Sequence, residues 1–450
     1  MSGSPRRPLP MWRHVLSNVS ARVVAIAGLT VATIMVARSG GASAVGSYAL
    51  LRMLPGLVGV LAVLGLPGAL PYFLSPGRRE RSGLWPTIAL MAVGGSLLGT
   101  LLWWALAPLL RDTFFRLDST LLVAAAGLTV ATQMVMTLGK TALQGLEDRR
   151  GSDAVIAAEE VAFVPAYAVA LVVLGPHSAA VVWALAVADL LVGLCAWARV
   201  ARALHWRRGG LARAPRGIWG RPERALTREI SSYGLRGQVG GLLTLLNTRL
   251  DFAILGAWAG PAVLGSYAVA SKYAELLRLP SLALTWISYP RLARLDPTTA
   301  VRRAVAMARP ALVIVALGAA PVFALAGPVT RLLYGSDFEA AVHPAQVIVV
   351  GMLLSGAAGA ASGYLYGRGR PGLNSAVLGL GLGVTVVLDL LLIPRHGAMG
   401  AAVASAVAYL VSDGVLVLVL LRMNRAVNRA AADAPPHPAS NLGRPAEVTP

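Results

Sequence analysis

Cysteine, lysine and charge of either sign are scarce in this 450-residue chain. The single cysteine, Cys195, cannot close an internal disulfide, and no grouping of Cys and His has metal-ligand spacing, so disulfide frameworks and structural zinc are excluded. Charged residues make up 13% of the sequence, where an average soluble chain carries about a quarter. Hydrophobic residues reach 56% and the mean hydropathy is +0.67. No soluble domain of this length can hide so much apolar surface, which excludes a water-soluble enzyme. Aromatic residues are only 6%, and the long Leu/Ala/Val/Gly runs lack the alternating ten-residue pattern of a membrane barrel. No Ser/His/Asp constellation and no phosphate-binding loop occurs either.

What is present is a series of apolar stretches with room for a bilayer core. They fall at 12–37, 44–74, 84–110, 119–146, 153–175, 178–198, 229–257, 262–290, 304–327, 340–366, 371–393 and 398–421. The expected fold is therefore an all-α polytopic membrane protein of about 12 transmembrane helices. Of the forty basic residues, 27 lie in the tails and loops on the side of the N-terminus, five (Arg38, Arg111, Arg116, Arg331 and Arg395) on the other side, and eight within spans. This asymmetry predicts a cytoplasmic-membrane protein with both termini inside, and it accounts for most of the net charge of +20 without a nucleic-acid partner. Ala42-Ser43-Ala44 imitates a signal-peptide cleavage site, but Arg22 interrupts the apolar core that such a peptide needs.

The chain repeats itself. Gly46-Ser47-Tyr48-Ala49 returns as Gly265-Ser266-Tyr267-Ala268 at an offset of 219, which also carries His177 onto His396. Leu143-Gln144-Gly145 resembles Leu365-Tyr366-Gly367 at an offset of 222. Six spans separate the copies, an even number, so the repeat is parallel and its axis lies along the membrane normal. The organisation expected is a disordered N-terminus (1–11), a six-helix bundle (12–203), a basic cytoplasmic linker (204–228), a second, pseudo-twofold related six-helix bundle (229–423) and a disordered tail (424–450). The nine arginines between 199 and 228 suit a loop lying on anionic lipid headgroups.

The segment from Gly41 to Leu74, with Val45-Gly46-Ser47-Tyr48-Ala49 and Leu64-Gly65-Leu66-Pro67-Gly68-Ala69-Leu70, resembles the opening of the polysaccharide-biosynthesis flippases of the Wzx type. Asp251 to Gly256, Gly260-Pro261 to Ala270, Pro290-Arg291-Leu292, Tyr334-Gly335 with Phe338, Gly367 to Arg370 with Asn374, and Gly397 to Ala404 resemble the second half of that family. The resemblance spans about 12–422 and implies the multidrug/oligosaccharidyl-lipid/polysaccharide exporter fold, two bundles rocking about a central cavity. It implies as cargo an oligosaccharide on a polyprenyl diphosphate, moved outward by a transporter rather than an enzyme, alongside other polysaccharide-assembly membrane proteins. Lipid II flippases share the fold but have two further C-terminal spans. A drug or organic-cation exporter of the same superfamily would favour an acidic, aromatic-lined pocket, and a membrane glycan polymerase would need a sizeable outer loop or an aqueous domain carrying an acid/base pair, where the longest outer loop, about 328–339, offers only Asp337 and Glu339.

A charge at a helix centre costs roughly 2.5–3.5 kcal/mol, so one that persists usually faces a cavity or a partner. At 1.5 Å per residue, Arg22 and Lys272 lie some 15 Å deep, and Arg52 and Arg249 about 12 Å. These four, with Asn18 one helical turn from Arg22, are the expected diphosphate site, because guanidinium forks and a compact ammonium both suit phosphate oxygens. Lys140 and Arg236 lie near span ends, within snorkelling reach of headgroups. Lys272, Glu275 and Arg278 are spaced as a ladder on one helix face, and Arg249 and Asp251 point to opposite sides. Asp251, Asp189, Glu275, Asp389 and Asp413 are the expected groups for coupling to a proton or sodium gradient. The alternative for every one of these bases and acids is a structural ion pair.

Overall fold

The computed structural model describes residues 11–75, 83–207 and 221–432. These are helical throughout, with no strand among them: α1 (Met11–Ala62), α2 (Leu66–Phe73), α3 (Leu84–Phe114), α4 (Thr120–Ala125), α5 (Leu128–Gly145), α6 (Arg149–Val161), α7 (Phe163–Leu174), α8 (Ser178–Arg207), α9 (Arg224–Trp258), α10 (Pro261–Ala293), α11 (Pro297–Leu333), a 3-10 turn (Ser336–Ala341), α12 (Val342–Gly351), α13 (Ser355–Gly367) and α14 (Pro371–Ala432). Most of the helices are rich in apolar residues. Leu90, Val93, Leu97, Leu101 and Val172 stay exposed, as a surface solvated by lipid tails requires.

Two helices are too long for one crossing. α1 has 52 residues and α14 has 62, about 78 and 93 Å of helix against a hydrocarbon core of about 30 Å. Each contains a glycine at positive φ, Gly41 (67°) and Gly397 (52°), a conformation that a side chain would strain. The chain folds back at both. Gly28 and Arg52, on either side of Gly41, both reach Glu160, and Gly381 and Ser412, on either side of Gly397, pack on each other. Each long helix is therefore a pair of antiparallel rods.

Seven helical stretches among the described residues are long and apolar enough to span a membrane, or eight if the pair 336–351 and 355–367, bent by 46°, is one span. The twelve apolar stretches in the sequence exceed that number for two physical reasons. α1 and α14 each count once although each folds back, and α9 and α10 carry charged side chains along their length, Arg249 and Asp251 in one and Lys272, Glu275 and Arg278 in the other.

The expected domain limits are shifted at the ends. The residues 1–10, 208–220 and 433–450 lie outside the described set, but α8 runs into the expected linker as far as Arg207 and α9 starts within it at Arg224. α14 likewise extends to Ala432, nine residues into the expected disordered tail, where Arg425, Arg429 and four alanines are strong helix formers.

Lipid offers little hydrophobic drive between helices, so the rods approach through small residues. Gly351 abuts Ala406 of α14, Gly356 abuts the Ala311 carbonyl of α11, and Gly359 abuts Ser281 of α10. The repeated tetrads meet each other. Gly46 lies against the carbonyl of Pro261, and Gly265 lies against the carbonyl of Ala42, with no room for a Cβ at either glycine. Ala42 and Pro261 are themselves 219 residues apart, so this contact between the chain halves is reciprocal. It lies on the face opposite the start of α1, called distal below. On the other, proximal face, Gly65 and Gly234 touch backbone to backbone, and Tyr72 stacks on Tyr233 with ring centroids 4.1 Å apart.

Candidate functional site

Between these two closures lies a cavity of about 280 Å³. The second rod of α1 contributes Tyr48, Arg52 and Gly56, α5 contributes Gln133, α6 Glu159 and α8 Asp189. From the other half come Arg249 and Phe252 of α9 and Lys272 of α10. Cations thus enter from both halves of the chain.

The structure pairs each of these cations with an acid. Arg52 forks onto Glu160 through both terminal nitrogens, and its Nη1 also donates to Tyr48 Oη at 3.3 Å. On the other side Lys272 Nζ lies 3.0 Å from Glu275 Oε2, and Arg249 Nη2 lies 3.5 Å from Glu275 Oε1. Two cations therefore share one carboxylate. Arg249 also sits over the Phe252 ring, 5.1 Å from its centroid. Burial is partial: the side chains of Arg52, Arg249 and Lys272 keep 25%, 32% and 12% of their surface, which leaves each a face toward the cavity.

Of the five residues expected to hold a diphosphate, Arg52, Arg249 and Lys272 come together and Arg22 and Asn18 do not. Arg22 is exposed, and its Nε donates to Asn18 Oδ1 at 3.0 Å. Asn18 in turn donates to the buried Asp153 at 2.7 Å, which ties this polar stripe to α6 away from the cavity. Lys140 differs from its expected headgroup contact: its Nζ reaches Glu159 at 2.8 Å. The Lys272–Glu275 step of the predicted ladder is present, while Arg278 turns to Tyr409, 5.4 Å from the ring centroid.

The coupling candidates scatter. Asp189 lines the cavity, and its Oδ2 is buried without a hydrogen-bond partner among the described residues. Asp251 accepts from Tyr267 Oη and the Phe252 amide, and Tyr267 lies 3.0 Å from Ser405 Oγ. Asp389 has no exposed surface, and neither carboxylate oxygen is partnered among the described residues. Asp413 lies on α14, and Glu275 is the shared carboxylate of the cavity. Sequence reasoning missed Gln133 and Tyr48 as cavity residues, although the recurrence of Tyr48 within the tetrad was an available signal. No group of three or more His, Cys, Asp or Glu side chains among the described residues is arranged to hold a metal ion.

The chain closes at two faces around a charged cavity, and its fold is shared with solved membrane proteins. A lipid II flippase, MurJ, in an inward closed conformation superposes with a TM-score of 0.69 at 10% identity, covering 95% of this chain and 94% of that one. An inward-facing multidrug resistance MATE transporter of the MOP superfamily gives 0.63 at 16% identity, covering 93% and 99%. A MOP superfamily transporter from Pyrococcus furiosus, described as having a binding pocket of reverse polarity, gives 0.60 at 16% identity, covering 93% and 96%. No curated protein matches the sequence. Residues 30–343 match the family model described as polysaccharide biosynthesis protein, and the chain belongs to that family.

Proposed function

We propose that the protein is a flippase that moves a polyprenyl-diphosphate-linked oligosaccharide across the cytoplasmic membrane by alternating access, for cell-surface polysaccharide synthesis. The observation that carries this reading is the convergence of Arg52, Arg249 and Lys272 from both chain halves on one cavity in a member of the polysaccharide biosynthesis family. A diphosphate entering there can exchange with the carboxylates that now hold the cations. Glu275 shares itself between two cations, so one positive charge on that side lacks a full counter-charge. An anion bridging Arg52 to Arg249 and Lys272 would draw the halves together and stabilise an occluded state, while the sugars are held loosely. The buried, unpartnered Asp389 and the cavity-lining Asp189 are the groups through which a proton or sodium gradient would act. Both termini are cytoplasmic in this reading.

One observation favours a second reading. Glu159, Asp189, Tyr48, Phe163 and Phe252 line the same cavity, and acids with aromatics suit an organic cation. The deciding experiment depletes the protein and follows lipid-linked glycans. An undecorated rise of one lipid-linked oligosaccharide on the inner leaflet supports the flippase, whereas unchanged glycan lipids with increased sensitivity to organic cations support the exporter.

A further inference from the structure

The basic residues on the distal face run against the strong charge asymmetry of the chain, and two of them have a specific task. Arg38, at the end of the first rod of α1, donates through Nε to the Leu333 carbonyl at 3.0 Å and through Nη2 to the Leu332 carbonyl. These are the last carbonyls of α11. Arg116, in the α3–α4 connection, donates through Nη2 to the Ala257 carbonyl at 2.7 Å, near the end of α9. Both arginines belong to the first half of the chain and both carbonyl groups to the second. The last four carbonyls of a helix have no intrahelical partner and carry the negative end of its dipole, so a guanidinium is well matched to them. Arg111 and Arg331, by contrast, pair locally with Asp112 and Glu339.

We infer that Arg38 and Arg116 are latches of the distal gate: each caps a C-terminal helix of the opposite half, and together with the Gly46–Pro261 and Gly265–Ala42 contact they hold that face shut. The glycines allow the two backbones to touch, and the arginines fix them in place. Opening toward the distal side must break both caps and leave three carbonyls to water, so the latches set the balance between the two states. The inference rests on the alternating-access reading but not on the cargo.

The test is a distance measurement by pulsed electron resonance on the full-length protein in lipid nanodiscs. Cys195→Ser removes the native thiol, and spin labels are placed at His177→Cys and His343→Cys, exposed distal positions in opposite halves. The parent should give one closed distance. Arg38→Gln with Arg116→Gln should raise the ratio of a longer, open distance to the closed one on the order of tenfold or more. Gly46→Val should do the same by bulk alone, and Arg331→Gln should leave the distribution as in the parent. An unchanged distribution in the folded double variant overturns the inference, as does an equal shift from Arg331→Gln. If the double variant is not recovered folded, the two single variants decide, and unchanged distances in both overturn it. Because the readout is a distance, a failed latch and a wrong cargo give different results.

Discussion

Replacing Glu275 by Gln removes the one negative charge shared by Arg249 and Lys272. At 3.5 and 3.0 Å and an effective dielectric of about 20, each attraction is roughly 5 kcal/mol in gross terms. Desolvation of three ions and the mutual repulsion of the two cations offset most of that sum. Glu275 also keeps 26% of its side-chain surface, so cavity water screens the remainder. The expected net loss is about 1–3 kcal/mol of stability, below the roughly 3–5 kcal/mol for breaking a fully buried pair. The same substitution frees both cations for an anion. Thermal unfolding followed by tryptophan fluorescence, with and without inorganic pyrophosphate, separates the two effects. Glu275→Gln should melt below the parent without ligand, and pyrophosphate should raise its midpoint more than it raises the parent's; at a hundred times the dissociation constant the linkage is worth about 2.7 kcal/mol. A midpoint that falls and does not respond to pyrophosphate would refute the idea that these cations receive a diphosphate, leaving them as structural pairs.

Arg52→Lys should reduce transport about tenfold or more while the protein stays folded, since an ammonium cannot fork onto Glu160 or a phosphate; flipping in reconstituted vesicles measures it. Asp148 caps α6 by accepting from the Gly151 amide and binds Arg199, Nη2 to Oδ1 at 3.0 Å; the hydrogen bond from Arg199 is the main cause that holds its carboxyl below the ordinary range. Asp148→Ala should therefore cost about 0.5–2 kcal/mol at neutral pH. Because the folded pKa is depressed, that contribution is present above the unfolded value of about 4 and is lost as pH falls through the folded one, so parent and variant melting curves should converge in acid. Finally, on a Cys195→Ser background, an impermeant thiol reagent applied to whole cells should label Ser178→Cys and Gly260→Cys but not Gly209→Cys; labelling at 209 would reverse the topology.

The apolar stretches and the Gly-Ser-Tyr-Ala repeat were legible because they are properties of composition and spacing. The repeat even marked the place where the chain halves touch, since only glycine at 46 and 265 permits that approach. Which bases face the cavity was not legible. In water an amphipathic helix advertises its buried face, but a helix in lipid is apolar on both its lipid side and its packed side, so periodicity cannot tell Arg22 from Arg52. Depth alone ranked Arg22 first, and the deciding fact was the neighbour: Asp153 through Asn18 for one, Glu160 for the other. Those partners lie 108 or more residues away in sequence. Lys140 misled in a different way. Its position near a span end fits a headgroup, but Glu159, on the next rod, is nearer.

The fold-back at Gly41 has a bearing on biogenesis. Its two rods are joined by one glycine with no intervening loop, so no length of polar chain is available for translocation between them. The first rod carries Arg22 and the second Arg52, each a burden for a lone helix entering the bilayer. If the two rods enter the bilayer together as a hairpin, their combined apolar length offsets both charges without waiting for a later helix.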